Sequence, residues 1–211
     1  MIVYHASKKE FINDVFNGTI ADDIDHAFLL HLGRNTSPNE KLSWKNSMMH
    51  MYKVVNTSDI PDTSTIAIEY QIPLTSKRID FIISGADENQ RSNIVIIELK
   101  QWQEVEKVET KEAIVKTYLQ GRKVETTHPS YQAWSYVSMI EDYNENVQEG
   151  NIILHPCAYL HNYIKLDEEI DPILDKRYDE YLSKAPVYRK GDAVKLRNFI
   201  LRFVSKGDNG D

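Results

Sequence analysis

Apolar and polar positions along the chain alternate with two different periods, and the change of period divides it into elements. Across residues 8–32, Phe11, Ile12, Val15, Phe16, Ile20, Ile24, Ala27, Phe28 and Leu32 recur mostly at helical spacing. Gly18 and Thr19 break the run into two short helices, and Gly33 closes the second. Ser37-Pro38-Asn39-Glu40 predicts the next helix start, with Ser37 as cap, Pro38 in the first turn and Glu40 in capping-box position. Trp44, Met48, Met51, Tyr52 and Val55 continue it as an apolar stripe.

The period then falls to two. Residues 65–72 put Ile66, Ile68, Tyr70 and Ile72 on one face and Glu69 and Gln71 on the other. Residues 78–84 repeat the pattern, with Ile79, Phe81 and Ile83 opposite Asp80. After a polar turn over 85–93 comes Ile94-Val95-Ile96-Ile97-Glu98-Leu99-Lys100, apolar at both parities and therefore a strand covered on both faces. The short connections predict an antiparallel meander. Strand side chains alternate, so Glu98 and Lys100 share a face at the strand's end while Leu99 takes the other. A buried carboxylate and ammonium are costly unless they meet each other, a metal or a substrate.

Beyond this strand, 113–119 and 122–126 flank Gln120-Gly121 as a hairpin. Pro129 opens a helix carrying Tyr131, Trp134, Val137, Ile140 and Tyr143 that ends near Gly150. Residues 151–160 read as a strand that Pro156 confines to an edge or a bend. Residues 170–183 and 192–205 read as helices around a short extended piece at Val187, the second with a stripe of Val194, Leu196, Phe199, Ile200 and Phe203. Gly207-Asp208-Asn209-Gly210-Asp211 reads as a soluble loop, as if the chain were cut from, or belonged beside, something larger.

Composition narrows the classes. The chain has 211 residues and offers no linker at which to divide it. No apolar run approaches the ~20 residues that cross a bilayer, and Met1-Ile2-Val3-Tyr4-His5 is no signal peptide. A lone cysteine, Cys157, excludes an internal disulfide and a cysteine-based zinc site. The expectation is a soluble cytoplasmic protein with no membrane contact. A net charge of -7 argues against nucleic-acid binding over the whole surface but permits a local basic groove.

Helix, three strands, helix and strand, with Asp80 on the second strand and Glu98-Leu99-Lys100 on the third, resemble the PD-(D/E)XK or restriction-endonuclease-like superfamily. Gln132-Ala133-Trp134-Ser135-Tyr136 matches the Q-x-x-x-Y element of its RecB-like branch. More closely, Ser43-Trp44-Lys45-Asn46-Ser47, Arg78-Ile79-Asp80-Phe81, Ile97-Glu98-Leu99-Lys100-Gln101-Trp102 and His128-Pro129-Ser130-Tyr131-Gln132 are similar to a bacterial family in which such a domain precedes a P-loop ATPase with helicase-like features. This chain has no G-x-x-x-x-G-K-[ST].

The resemblance implies an α/β fold: a mixed sheet in an αβββαβ core over about 38–162, N-terminal helices, a β-hairpin insertion and a C-terminal helical extension over about 163–211. It implies a metal-dependent nuclease, a DNA phosphodiester hydrolase working with an ATPase or helicase module in cis or in trans, with RNA left open as substrate and the oligomeric state unassigned. Asp80, Glu98 and the Leu99 carbonyl would bind Mg²⁺, with Mn²⁺ as substitute, and Glu40 would reach the metal through water. Lys100 would orient the attacking water or stabilise the transition state. Gln132 and Tyr136, one turn apart, would hold Lys100 or a phosphate. Lys77, Arg78, Lys116, Arg122 and Lys123 would track the backbone.

Plainer readings stand beside these. The capping box alone explains Glu40, and Gln132 and Tyr136 also suit buried backbone groups. Tyr131, Trp134 and Tyr143 suit a core, and His128 suits the start of a helix. His155 and His161 lack a ligand cluster for zinc, and Glu69 is either solvated or near the site. The rival function is a catalytically silent nucleic-acid-binding or docking module with the same fold.

Overall fold

The computed structural model describes residues 3–33, 36–119, 121–164 and 166–208. Met1 and Ile2, Gln120 of the expected hairpin turn and Asn209 to Asp211 lie outside the described residues. In chain order the elements are β1 (Tyr4–Ser7), α1 (Lys8–Asn17), α2 (Ile20–Leu32), α3 (Pro38–Val55), β2 (Thr65–Gln71), β3 (Arg78–Ala86), β4 (Ser92–Lys100), β5 (Glu106–Lys107), β6 (Ile114–Leu119), β7 (Arg122–Thr127), α4 (Pro129–Glu141), α5 (Glu145–Gln148), β8 (Ile152–Ile164), α6 (Asp179–Lys184), β9 (Val187–Lys190) and α7 (Ala193–Leu201).

Local chemistry explains several of these boundaries. The capping box expected before α3 is formed: the Glu40 amide donates to Ser37 Oγ at 3.2 Å, and the Ser37 amide donates to Glu40 Oε2 at 2.9 Å. Ser7 and Glu10 build the same box at the start of α1. Gly18 and Gly33 close α1 and α2 in the left-handed conformation.

The main sheet is mixed, in the order β1-β2-β3-β4-β8-β9. The pairs from β1 to β4 are antiparallel, and β4–β8 and β8–β9 are parallel. One face carries Ile66, Ile68, Phe81, Ile83, Val95 and Ile97 into a core with Phe11, Phe28, Trp44, Met51, Leu196 and Ile200. The other face carries Ile72, Ile79 and Ile96 against Tyr136 and Ile140 of α4. A separate ribbon, β5-β6-β7, leaves the end of β4 and is anchored by Trp102, Val115, Leu160 and Tyr178.

The structure departs from the sequence pattern in several places: Ile79 turns to the opposite face from Phe81 and Ile83, and the helix opened by Pro129 ends at Glu141 and resumes only as the short α5 before Gly150. β2 does not keep Ile66, Ile68, Tyr70 and Ile72 on one face, because Glu69 sits at φ 55° and reverses the alternation. β1 pairs with β2 although its four residues show no alternation. Residues 170–183 do not form one helix: Asp171 and Asp175 cap two 3₁₀ turns, Pro172–Leu174 and Lys176–Tyr178, before the short α6. Tyr143 and Val194 are exposed rather than part of a buried stripe.

The C-terminal segment is docked as far as Asp208. Lys206 bridges to Ala86, and the Asp208 carboxylate accepts from Thr65 and Ser84. A Cβ at Gly85 would stand 2.5 Å from the Lys206 carbonyl oxygen, so this close approach requires glycine. Among the described residues no helix is long and apolar enough to cross a membrane.

Candidate functional site

A cluster of buried polar groups lies where β3 begins and β4 ends, beside α3 and α4. Glu98 is 2 % exposed. Its Oε1 lies 2.5 Å from Lys100 Nζ, so the two residues that share a face form an ion pair with each other. The remaining oxygen, Oε2, is buried and makes no close hydrogen bond among the described residues, with the Tyr136 hydroxyl, whose pKa the Glu98 carboxylate raises, as a more distant donor. Lys100 also lies 5.4 Å from the Trp102 ring. Asp80 uses Oδ2 to accept the Leu99 amide at 2.8 Å, which fastens β3 to β4 where their ladder ends.

Glu69, which sequence reasoning left undecided, belongs to this group. Its left-handed backbone turns the carboxylate towards α3, where it accepts the Trp44 indole N–H at 2.8 Å and stands 3.1 Å from Arg78 Nη1. A pocket of about 60 Å³ separates this carboxylate from Asp80, with Ser43, Ser47 and Leu99 in its wall. Gln101 binds the two serines of this wall, its amide nitrogen 2.7 Å from Ser43 Oγ and 3.2 Å from Ser47 Oγ. Ser47 in turn lies 3.2 Å from Nε2 of the buried His161, whose pKa burial pushes down to about 4. Ser47 and Gln101 lie in runs that carry the family resemblance but have no role there, Glu69 signals itself only as an acidic position in an apolar strand, and nothing in the sequence links His161 to them.

Acidic groups crowd the cluster. Burial, and then the Glu98 charge, hold the Asp80 carboxyl well above the usual range, against the opposing pull of Lys100. Burial also raises Glu69, although Arg78 offsets part of it. Burial opposes the Lys100 charge, but Glu98 and Asp80 outweigh it and hold its pKa above the usual value. Tyr136 is buried and pushed up by burial and by Glu98, and its hydroxyl accepts the Gln132 amide at 2.7 Å.

Among the described residues, no group of three or more His, Cys, Asp and Glu side chains is disposed to hold a metal ion. This overturns the Mg²⁺ or Mn²⁺ site expected at Asp80, Glu98, Leu99 and Glu40, and with it the metal-dependent deoxyribonuclease and hydrolase reading. Each carboxylate already has another partner: Glu98 faces Lys100, Asp80 takes a strand amide, Glu69 faces Trp44 and Arg78, and Glu40 closes the capping box. A hard cation needs several oxygens converging on one point, and these diverge.

The expected backbone-tracking residues do not form one patch. Arg78 sits in the cluster beside Glu69 and over the Phe28 ring. On the ribbon, Lys123 pairs with Glu106 at 2.5 Å and Lys116 stands 3.7 Å from Glu125. Lys77 and Arg122 are exposed. Tyr118, 52 % exposed, lies against Lys123 near the ribbon tip. No protein-family model, curated protein or solved structure matches the chain.

Proposed function

We propose that the chain is a catalytically silent docking module built on a PD-(D/E)XK-like fold. The observation that carries this reading is the strand-end cluster: its carboxylates diverge onto Lys100, the Leu99 amide and Trp44, with no group disposed to hold a metal among the described residues. The run α3-β2-β3-β4-α4-β8, with β8 parallel to β4, supports the restriction-endonuclease-like αβββαβ core. Asp80, Glu98, Lys100, Gln132 and Tyr136 then act as a polar keystone between the sheet and α4. The partner is an ATPase or helicase module, in cis or in trans, in the cytoplasm.

Nucleic-acid binding is the second reading. Exposed Lys77 and Arg122 favour it, while the net charge of -7 and the Lys–Glu pairs on the ribbon count against it.

The test is calorimetry with Mg²⁺ and Mn²⁺, together with incubation of labelled single-stranded and duplex DNA with either ion. The expected outcome is no saturable heat and intact DNA. Saturable metal binding that disappears in Asp80→Asn, or cleavage that depends on Lys100, overturns the reading. Fluorescence anisotropy with the same DNA decides the second reading, which requires binding that weakens in Arg122→Glu and Lys77→Glu.

A further inference from the structure

The main sheet is incomplete along one edge. β4 borders β8 from Ile152 onward, but β9 joins its other side only at Ala158. Between Ile152 and Cys157, β8 therefore has a neighbouring strand on one side alone. The Ala158 amide donates to the Pro186 carbonyl at 3.0 Å. This fixes the parity, because a strand residue sends its N–H and C=O to the same side and its neighbours to the other. Leu154 and Pro156 accordingly turn their backbone groups into the open lane. Pro156 has no N–H to offer, so its place there breaks no ladder bond.

The lane is a walled slot. A cleft of about 410 Å³ runs along it. Leu182 and Lys184 at the end of α6 form one wall, Phe199, Arg202 and Phe203 at the end of α7 form the other, and Tyr188 stands at its β9 end. The walls are held in place: Phe203 stacks on His155 at 3.5 Å and meets Phe199 edge-on at 5.3 Å, while Lys184 lies 3.8 Å from the Trp134 ring. Arg202 is exposed and has no ion-pair partner among the described residues. Lys184 is paired with Glu180 at 2.9 Å, which leaves Arg202 as the cation the cleft lining offers, with no carboxylate in that lining.

We infer that the slot receives an extended acidic peptide segment, which adds to the open edge of β8 as a strand and pairs an Asp or Glu with Arg202. Its main chain meets the N–H and C=O of the half-buried Leu154, upstream of the buried Pro156. Its alternate apolar side chains lie between Leu182 and Phe203. At about 3.3 Å per residue, the lane takes roughly five residues. A nucleic-acid strand fits less well, because it makes no use of the Leu154 edge and one face of the Phe203 ring is already covered by His155. The inference rests on the docking reading above and gives its partner a chemistry.

The test selects nonapeptides from a displayed random library on the full chain, labels the winners with fluorescein and titrates them by anisotropy. The expected winners alternate β-branched residues and carry an Asp or Glu. Their Kd rises about tenfold or more in Arg202→Glu, which opposes like charges, and in Ser183→Trp, which plugs the cleft. Saturating peptide slows hydrogen exchange at the Leu154 amide, a readout that needs no variant. The inference is overturned if no such sequences are selected, if both variants bind them as the wild type does, or if the Leu154 amide exchanges unchanged. An oligothymidylate that protects the same amide and displaces the peptide assigns the slot to nucleic acid and overturns it equally. Neither variant touches the strand-end cluster, so metal binding there would remove the docking reading while these measurements still stand or fall on their own.

Discussion

Two networks of buried charge lie at opposite sides of β8, and they are neutralised in different ways. Beside β9, Asp171 takes the Tyr163 hydroxyl at 2.7 Å and the Ile173 amide at 3.2 Å on Oδ1, and Arg189 Nη1 at 2.6 Å on Oδ2. Both of its oxygens are engaged. Arg189 in turn donates its amide to Asp192 at 3.0 Å, while its Nε and Nη2 each stand 3.6 Å from a carboxylate, of Asp192 and Glu168 respectively. At the end of β4, Glu69, Asp80 and Glu98 outnumber Lys100 and Arg78, Glu98 Oε2 makes no close hydrogen bond among the described residues, and the Asp80 carboxyl is pushed well up. One network pairs its charges, and the other favours retention of a proton. A surplus of buried carboxylates is therefore not by itself a metal site; the direction of each oxygen decides.

Breaking the paired network has the largest expected effect. Asp171→Ala leaves the Arg189 guanidinium buried without its nearest anion and uncaps the 3₁₀ turn at Pro172. Loss of one partner of a buried pair costs about 3–5 kcal/mol, and each kcal/mol lowers the melting midpoint of a chain this size by about 2–4 °C. Thermal unfolding followed by circular dichroism measures it. A fall of under about 1 kcal/mol would mean that Asp192 and Glu168 suffice for Arg189, and the contrast between the networks would weaken.

Asp80→Asn acts in the opposite direction. Because the folded pKa of Asp80 lies above its unfolded value of about 3.9, the folded chain binds more protons than the unfolded chain between those two values. Stability therefore falls as pH rises through that window and stays lower above it. Asparagine removes this fall and still accepts the Leu99 amide, so the variant melts higher than wild type at neutral pH and its melting midpoint declines less between pH 4 and 8. A shallower residual decline belongs to Glu69, which is also raised. If the variant melts lower at neutral pH, the Asp80 charge is stabilising and the protonated reading fails.

The sequence made individual residues legible more readily than their arrangement. Ser37 and Glu40 formed the box their spacing predicts, and Glu98 and Lys100 met on one face because strand geometry leaves them no alternative. Pro156 indicated an edge and lies on the open stretch of β8. The reversal at Glu69 had no local signal, since a glutamate at φ 55° interrupts a run that alternates cleanly on paper. The Asp171–Arg189 pair joins residues from separate elements, which no periodicity can reveal. Asp171-Pro172 is a turn signal, and the helix expected over 170–183 runs straight through it. The metal reading failed for a related reason: residue types and order suited an ion, but coordination depends on where each oxygen points.

The smallest expected effect comes from a matched pair, Tyr163→Phe and Tyr136→Phe. The Tyr163 hydroxyl donates to the Asp171 carboxylate at 2.7 Å, and a hydrogen bond to a charged group is worth about 1.5–3 kcal/mol. The Tyr136 hydroxyl accepts a neutral amide from Gln132 at 2.7 Å, a contact worth about 0.5–1.5 kcal/mol. Denaturant unfolding should therefore find Tyr163→Phe more costly by about 1 kcal/mol. Equal losses would mean that Tyr136 also donates to Glu98 Oε2 in solution. The strand-end cluster would then have no orphan oxygen, and the two networks would differ only in the proton on Asp80.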